Sequence, residues 1–147
     1  MTATGETPEG FIKHAQEFWA AADLVLSKAQ GVSLPAFFLL GRSIELSLKA
    51  FLLHKGMSIE MLRLREYGHN LKALLQCARD NGLEKIIEIE AMEAGVVDLL
   101  SFDYADKRLE YRVTKGTYYL PHLSGTSSIA RKLAYELALA KSTEAGA

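Results

Sequence analysis

The chain has 147 residues, 49% of them hydrophobic and 24% charged, with a formal net charge of −1. That length and balance describe one globular domain able to bury its own core. They exclude a long-range field that would recruit nucleic acid or an acidic membrane, so polyanion binding would need a local basic patch. The lone Cys77 excludes an intramolecular disulfide and a cysteine-rich metal cluster.

Proline and glycine divide the chain into helical stretches. Thr7-Pro8-Glu9 has the form of a cap followed by proline at the first helical position. From there Phe11, Ala15, Phe18, Ala22 and Val25 recur at alternating four- and three-residue spacing, which predicts an amphipathic helix ending near Gly31. Ser33-Leu34-Pro35 restarts the chain, and a second helix is expected to run to Lys55-Gly56. Residues 57–68 fit one or two helical turns and a loop. His69-Asn70 opens a short helix with Leu71, Leu74, Leu75 and Ala78 on one face, closed by Asn81-Gly82.

A fourth long helix is predicted from about Leu83 to about Tyr104, with Ile86, Ile89, Met92, Val96, Leu99 and Leu100 available for burial. Residues 108–121, RLEYRVTKGTYYLP, read as an irregular segment or small hairpin. Thr126 or Ser127 would cap a final helix carrying Ile129, Ala130, Leu133, Ala134 and Leu137. The expected architecture is therefore all-α: an antiparallel up-and-down bundle of four main helices plus one short one, in a single domain over residues 1–147 with its core at about 8–141. No charged-then-apolar leader opens the sequence and no clean apolar run reaches 18 residues, so the expectation is a cytoplasmic protein without a membrane partner.

The second helix, LLGRSIELSLKAFLLHKG, carries charges inside an apolar run. At about 100° per residue, Arg42, Glu45 and Lys49 fall within roughly 60° of one another, opposite Phe37, Leu40, Ile44, Leu48 and Phe51. A helix apolar almost all round is one enclosed by other helices or by a second subunit. Glu45 precedes Lys49 by four and follows Arg42 by three, which favours ion pairing along one stripe. The stripe fits an exposed salt-bridged face, a polar network lining a groove, or a direct role in chemistry.

GRSIELSLKAFLL, followed by YGHNLKALL and then YADKRLEYRV, resembles the HEPN superfamily, the "higher eukaryotes and prokaryotes nucleotide-binding" helical domains. The resemblance spans roughly residues 10–140 and rests on the Glu45–Lys49 pair and on His69-Asn70-Leu71. It implies a helical bundle, often a homodimer, that cleaves RNA or binds RNA, a nucleotide or a protein partner in toxin–antitoxin and defence systems. Catalytic members resemble one another in an Arg, four to six residues and then a His near the last core helix. Here Arg108 and Arg112 lie in that region, but nine residues separate Arg112 from the next histidine, His122. Arg63 and His69, with five residues between them, meet the spacing in an earlier segment.

The segment around 104–119 interleaves Lys107, Arg108, Arg112 and Lys115 with Tyr104, Tyr111, Tyr118 and Tyr119. Such a mixture grips phosphate and stacks on bases, and equally lets tyrosine rings pack while their hydroxyls stay wet. Tyr104, Arg108, Tyr111, Arg112 and Lys115 are the candidate binding residues. For a metal-independent ribonuclease, His69 or His122 would be the base and Arg63 or Arg112 the phosphate clamp. The four histidines share no ligand spacing, and no glycine loop cradles phosphate, so neither metal nor cofactor is expected. The leading expectation is a non-catalytic HEPN-like homodimer binding RNA, nucleotide or a protein, with the ribonuclease and a pure protein-interaction adaptor as alternatives.

Overall fold

A computed structural model describes residues 7–110 and 116–146, and side chains as far as Leu137. The described chain is all-helical, with no strand among its residues. Its elements are α1 (Pro8–Lys28), α2 (Leu34–His54), α3 (Ile59–Leu62), α4 (Leu71–Asp80), a 3-10 turn (Leu83–Lys85), α5 (Ala91–Ala105) and α6 (Leu123–Gly146). Among the described residues no helix is long and apolar enough to cross a membrane.

The helix starts follow short-range chemistry. The Thr7 hydroxyl accepts from Gly10 N–H at 3.0 Å, with Pro8 at the first position, and Ser33 accepts from Ala36 N–H at 3.2 Å ahead of Pro35. Asn70 Oδ1 accepts from Ala73 N–H at 3.1 Å, so Asn70 caps α4 and His69 stands one residue outside it. Each cap satisfies a backbone donor that the helix itself cannot.

The predicted fourth helix is divided. Gly82, at φ 90°, turns the chain out of α4 into the 3-10 turn, and α5 begins only at Ala91. Between them Ile87 and Ile89 are buried while Glu88 and Glu90 are exposed. This alternation is the signature of extended backbone, not of a 3.6-residue repeat. Glu90 N–H then donates to Glu93 Oε1 at 2.9 Å and opens α5. The last helix starts earlier than expected, at Leu123, and Thr126 instead turns its hydroxyl back onto His122 O at 2.8 Å. Of residues 108–121, the described parts (108–110 and 116–121) hold no strand.

α2 is the central element, packed against α1, α4, α5 and α6. Leu40, Ile44, Leu48 and Leu52 recur every four residues and are wholly buried with Leu71 and Leu74 of α4, Leu100 of α5, and Ile129 and Leu133 of α6. Each such side chain contributes about 1.5–3 kcal/mol of burial. Toward α1 the contact is made by small residues: Ala15 and Ala22 are fully buried, and Ser43 Oγ donates to Ala15 O at 2.7 Å. Trp19 Nε1 donates to Ser127 O at 3.1 Å and ties α1 to α6. α2 is thus enclosed by helices of its own chain, and the charged stripe is carried in with it.

Candidate functional site

Glu45 is 1% exposed at the middle of α2, and Lys49, one turn on, is 9% exposed. Lys49 Nζ donates to Glu45 Oε2 at 2.8 Å, and an Arg42 guanidinium nitrogen donates to the same oxygen at 3.2 Å. The other oxygen, Oε1, accepts from the Tyr104 hydroxyl of α5 at 2.6 Å and lies 2.9 Å from His69 Nδ1. A carboxylate offers about four lone-pair positions. All four are taken.

This saturation sets the electrostatics. Burial alone would push the Glu45 acid up, but the Lys49 ammonium and the hydrogen bonds from Lys49, Tyr104 and His69 outweigh it and hold the acid below its ordinary value. Burial, reinforced by the Glu45 charge and hydrogen bond, pushes the Tyr104 phenol well above its ordinary range, so Tyr104 stays a neutral donor. An ionised carboxylate can only accept, so the His69 Nδ1 carries a proton toward Glu45 and Nε2 is left as the second functional nitrogen. The His69 ring also meets the Tyr104 ring edge-on, with centroids 6.2 Å apart and planes at 82°.

Gly41 makes this possible. A Cβ at that position would stand 2.5 and 2.7 Å from two Tyr104 ring carbons. The missing side chain lets the phenol ring lie against α2 and reach Glu45 one turn further along. A glycine inside a helix costs up to about 1 kcal/mol relative to alanine, and at Gly41 the Tyr104 contact offsets that cost.

Above the network lies a cleft of about 260 Å³ lined by Phe11, Arg42, Glu45, Leu46, Lys49, Ile59, Leu62, Arg63 and His69. Arg63 is the residue capping α3 at its C-terminal end. The turns that follow, with Gly68 N–H donating to Leu64 O at 2.8 Å and Asn70 N–H to Tyr67 O at 2.7 Å, fold the chain back and bring His69 over α2. The formally spaced Arg63 and His69 therefore meet in one cleft with the Arg42–Glu45–Lys49 stripe. The Arg42 guanidinium carbon also sits 5.9 Å from the Phe18 ring centroid.

The other sequence candidates lie elsewhere. His122 is exposed just before α6, with Nδ1 2.8 Å from Ser124 Oγ, and does not line the cleft. Arg108 Nε donates to Asp103 Oδ1 at 2.6 Å, its terminal nitrogen donates to Thr117 O at 2.8 Å, and its guanidinium sits 5.2 Å from the Tyr118 ring centroid. Asp103, 1% exposed, accepts Tyr119 N–H at 2.5 Å as well, so it pins the chain after residue 116 onto α5. Tyr104, grouped by composition with that basic segment, belongs to the Glu45 network. Tyr111, Arg112 and Lys115 lie outside the described residues.

Sequence reasoning missed Gly41, Asp103 and the cleft wall of Phe11, Ile59 and Leu62. A glycine in mid-helix was the available signal for the first. Nothing local distinguishes Asp103 from a surface aspartate. No group of three or more His, Cys, Asp or Glu side chains placed to hold a metal ion occurs among the described residues. Comparison of the chain with family models, curated proteins and solved structures finds no match.

Proposed function

We propose that the protein is a HEPN-like helical module that binds the phosphate of RNA or a nucleotide in the Arg42–Lys49–Arg63–His69 cleft. In this reading α1, α2, α5 and α6 are the four main helices of an antiparallel bundle, with α4 as the short one. The observation that carries the function is the saturation of Glu45. With both its oxygens filled, Glu45 gathers the Lys49 ammonium and the Arg42 guanidinium at the cleft and has no lone pair left for a further donor. A ligand rich in acceptors and carrying negative charge is the complement of that surface.

The test is fluorescence anisotropy of a short single-stranded RNA across a salt series. Affinity should weaken with salt, because released counterions accompany phosphate contacts. Arg63→Ala should lower affinity about five- to tenfold, in line with one charge-assisted contact. RNA and nucleotides that bind no better than an uncharged polymer, or binding that Arg63→Ala and Arg42→Ala leave unchanged, would end this reading.

A metal-independent endoribonuclease is the second reading, favoured by one geometric fact. A histidine with Nδ1 tied to a carboxylate presents Nε2 as a general base, and an arginine lines the same cleft. Cleavage of RNA in the presence of EDTA, abolished by His69→Ala, would support it; no cleavage would leave the binding module.

The reading includes a homodimer. α2 is enclosed within its own chain, so the surface that motivates a second copy is on α5, where Met92, Leu99 and Phe102 are exposed on one face and Phe102 meets exposed Tyr119 at 5.8 Å between ring centroids. Light scattering at micromolar concentration should give twice the chain mass. A monomer there, or a dimer unaffected by Phe102→Glu, would remove that interface.

A further inference from the structure

We infer that the groove between α4 and α5 is a second ligand site, separate from the Glu45 cleft, and that it takes a small zwitterion, a free α-amino acid with a short aliphatic side chain. The inference is independent of the anion-binding reading, because none of the side chains that carry it lines that cleft.

A cavity of about 330 Å³ lies where α4 packs on α5. Backbone chemistry fixes its walls. Ser101 Oγ of α5 accepts from Lys72 N–H at 3.2 Å and donates to Asn70 Oδ1 at 3.4 Å, and Asn70 Oδ1 also accepts from Ala73 N–H at 3.1 Å. The Lys72 and Ala73 donors at the start of α4 are thereby occupied, so recognition in the cavity falls to side chains.

Two of those side chains carry opposite charge. Lys72, exposed on the first turn of α4, and Asp98, half-buried one turn before Ser101 on α5, both line the cavity. Among the described residues no ion pair joins them, and neither the Lys72 ammonium nor the Asp98 carboxylate has a hydrogen-bond partner. Arg79, the other cation of the cavity, donates to Glu84 Oε1 at 3.2 Å, so its charge is answered within the chain.

A lone anion drawn to Lys72 would meet Asp98, and a lone cation drawn to Asp98 would meet Lys72. Each charge acts against the wrong ligand. A molecule bearing both a carboxylate and an ammonium satisfies the two through charge-assisted hydrogen bonds. Two neutral groups extend the match. Gln76 gives its amide nitrogen to Asp80 Oδ1 at 3.0 Å and keeps its carbonyl oxygen for an ammonium, while Asn70, whose Oδ1 is taken, keeps its amide N–H groups for a carboxylate.

Size and floor narrow the class. About 330 Å³ is the lower end of the roughly 300–1,000 Å³ of small-molecule sites. Leu75, 3% exposed, and the small side chains of Ala73 and Ala94 supply an apolar surface for the hydrocarbon part of the ligand. A zwitterion of that size with one apolar side is an aliphatic α-amino acid.

The experiment is a ¹H–¹⁵N NMR titration of the full chain with L-valine, with N-acetyl-L-valine, which lacks the ammonium, and with L-valinamide, which lacks the carboxylate. L-Valine should give saturable shifts at millimolar concentration, confined to amides of α4 and α5. Each blocked analogue should bind about tenfold more weakly, in line with one lost charge-assisted contact. Lys72→Met and Asp98→Asn, both checked for helicity, should each weaken L-valine by a similar factor. No saturable shift with L-valine, blocked analogues that bind as tightly, or variants that keep wild-type affinity would each overturn the inference. Shifts centred on α2 and His69 would put the ligand in the Glu45 cleft and overturn the second site, leaving the cleft reading to its own test.

Discussion

The Tyr104 hydroxyl donates to Glu45 Oε1 across 2.6 Å and 59 residues of sequence, joining α5 to α2 at the buried centre of the site. The contact depends on Gly41, whose place beside the Tyr104 ring admits no Cβ. Gly41→Ala should therefore destabilise the protein by about 1–3 kcal/mol, the usual cost of overpacking. At Gly95 in α5 a Cβ would meet nothing within 4 Å, so Gly95→Ala should stabilise by up to about 1 kcal/mol. Urea denaturation of the two variants checks the opposite signs.

Removing one member of the ionic network should expose how it is held. Glu45→Ala leaves Lys49, 9% exposed, without its counter-ion, at a cost of about 3–5 kcal/mol. Arg42 has about a third of its side chain in solvent, and Arg42→Ala should cost less than about 1 kcal/mol. Equal costs for the two would mean that Lys49 does not depend on Glu45.

The network also predicts a pH dependence with a definite sign. The folded Glu45 acid is held below its ordinary value, so its contribution to stability is complete above pH 4.5 and is lost as pH falls through the lowered folded value. The folded Tyr104 phenol is raised, so its contribution is complete below pH 10 and is lost as pH climbs further. Urea midpoints measured against pH should fall less steeply in Glu45→Gln at the acid end and in Tyr104→Phe at the alkaline end. Slopes identical to the wild type would contradict the assignment.

Arg108 offers a contrast with the cleft. Its Nε and a terminal nitrogen are committed to Asp103 and the Thr117 carbonyl. Arg108→Ala should cost about 1.5–3 kcal/mol of stability, as expected for hydrogen bonds to a charged group. Affinity for the labelled RNA should stay within about twofold, since the two sites share no partner. A large loss of affinity at unchanged stability would restore Arg108 as a ligand contact.

These contrasts show what the sequence could and could not display. The Glu45–Lys49 pair and Arg42 were legible because helical periodicity alone sets their separation, and the same is true of the α4 face of Leu71, Leu74, Leu75 and Ala78. The break before α5 was written in Ile87-Glu88-Ile89-Glu90, but the apolar residues on both sides also fit one long helix. Tyr104 could be assigned only by composition, to the basic segment beside it, because its partner lies on another helix. The meeting of Arg63 and His69 with the stripe depends on the turns between residues 63 and 70, and a five-residue spacing does not specify their direction.

The account rests on Glu45 being an ionised acceptor that fixes the His69 ring. Long-range ¹H–¹⁵N correlation NMR, at a pH where the imidazole is neutral, reports which ring nitrogen carries the proton. Wild-type protein should show His69 protonated at Nδ1, and Glu45→Ala should release it to a mixture of tautomers. A neutral His69 protonated at Nε2 in the wild type, or a tautomer indifferent to Glu45, would contradict the central claim.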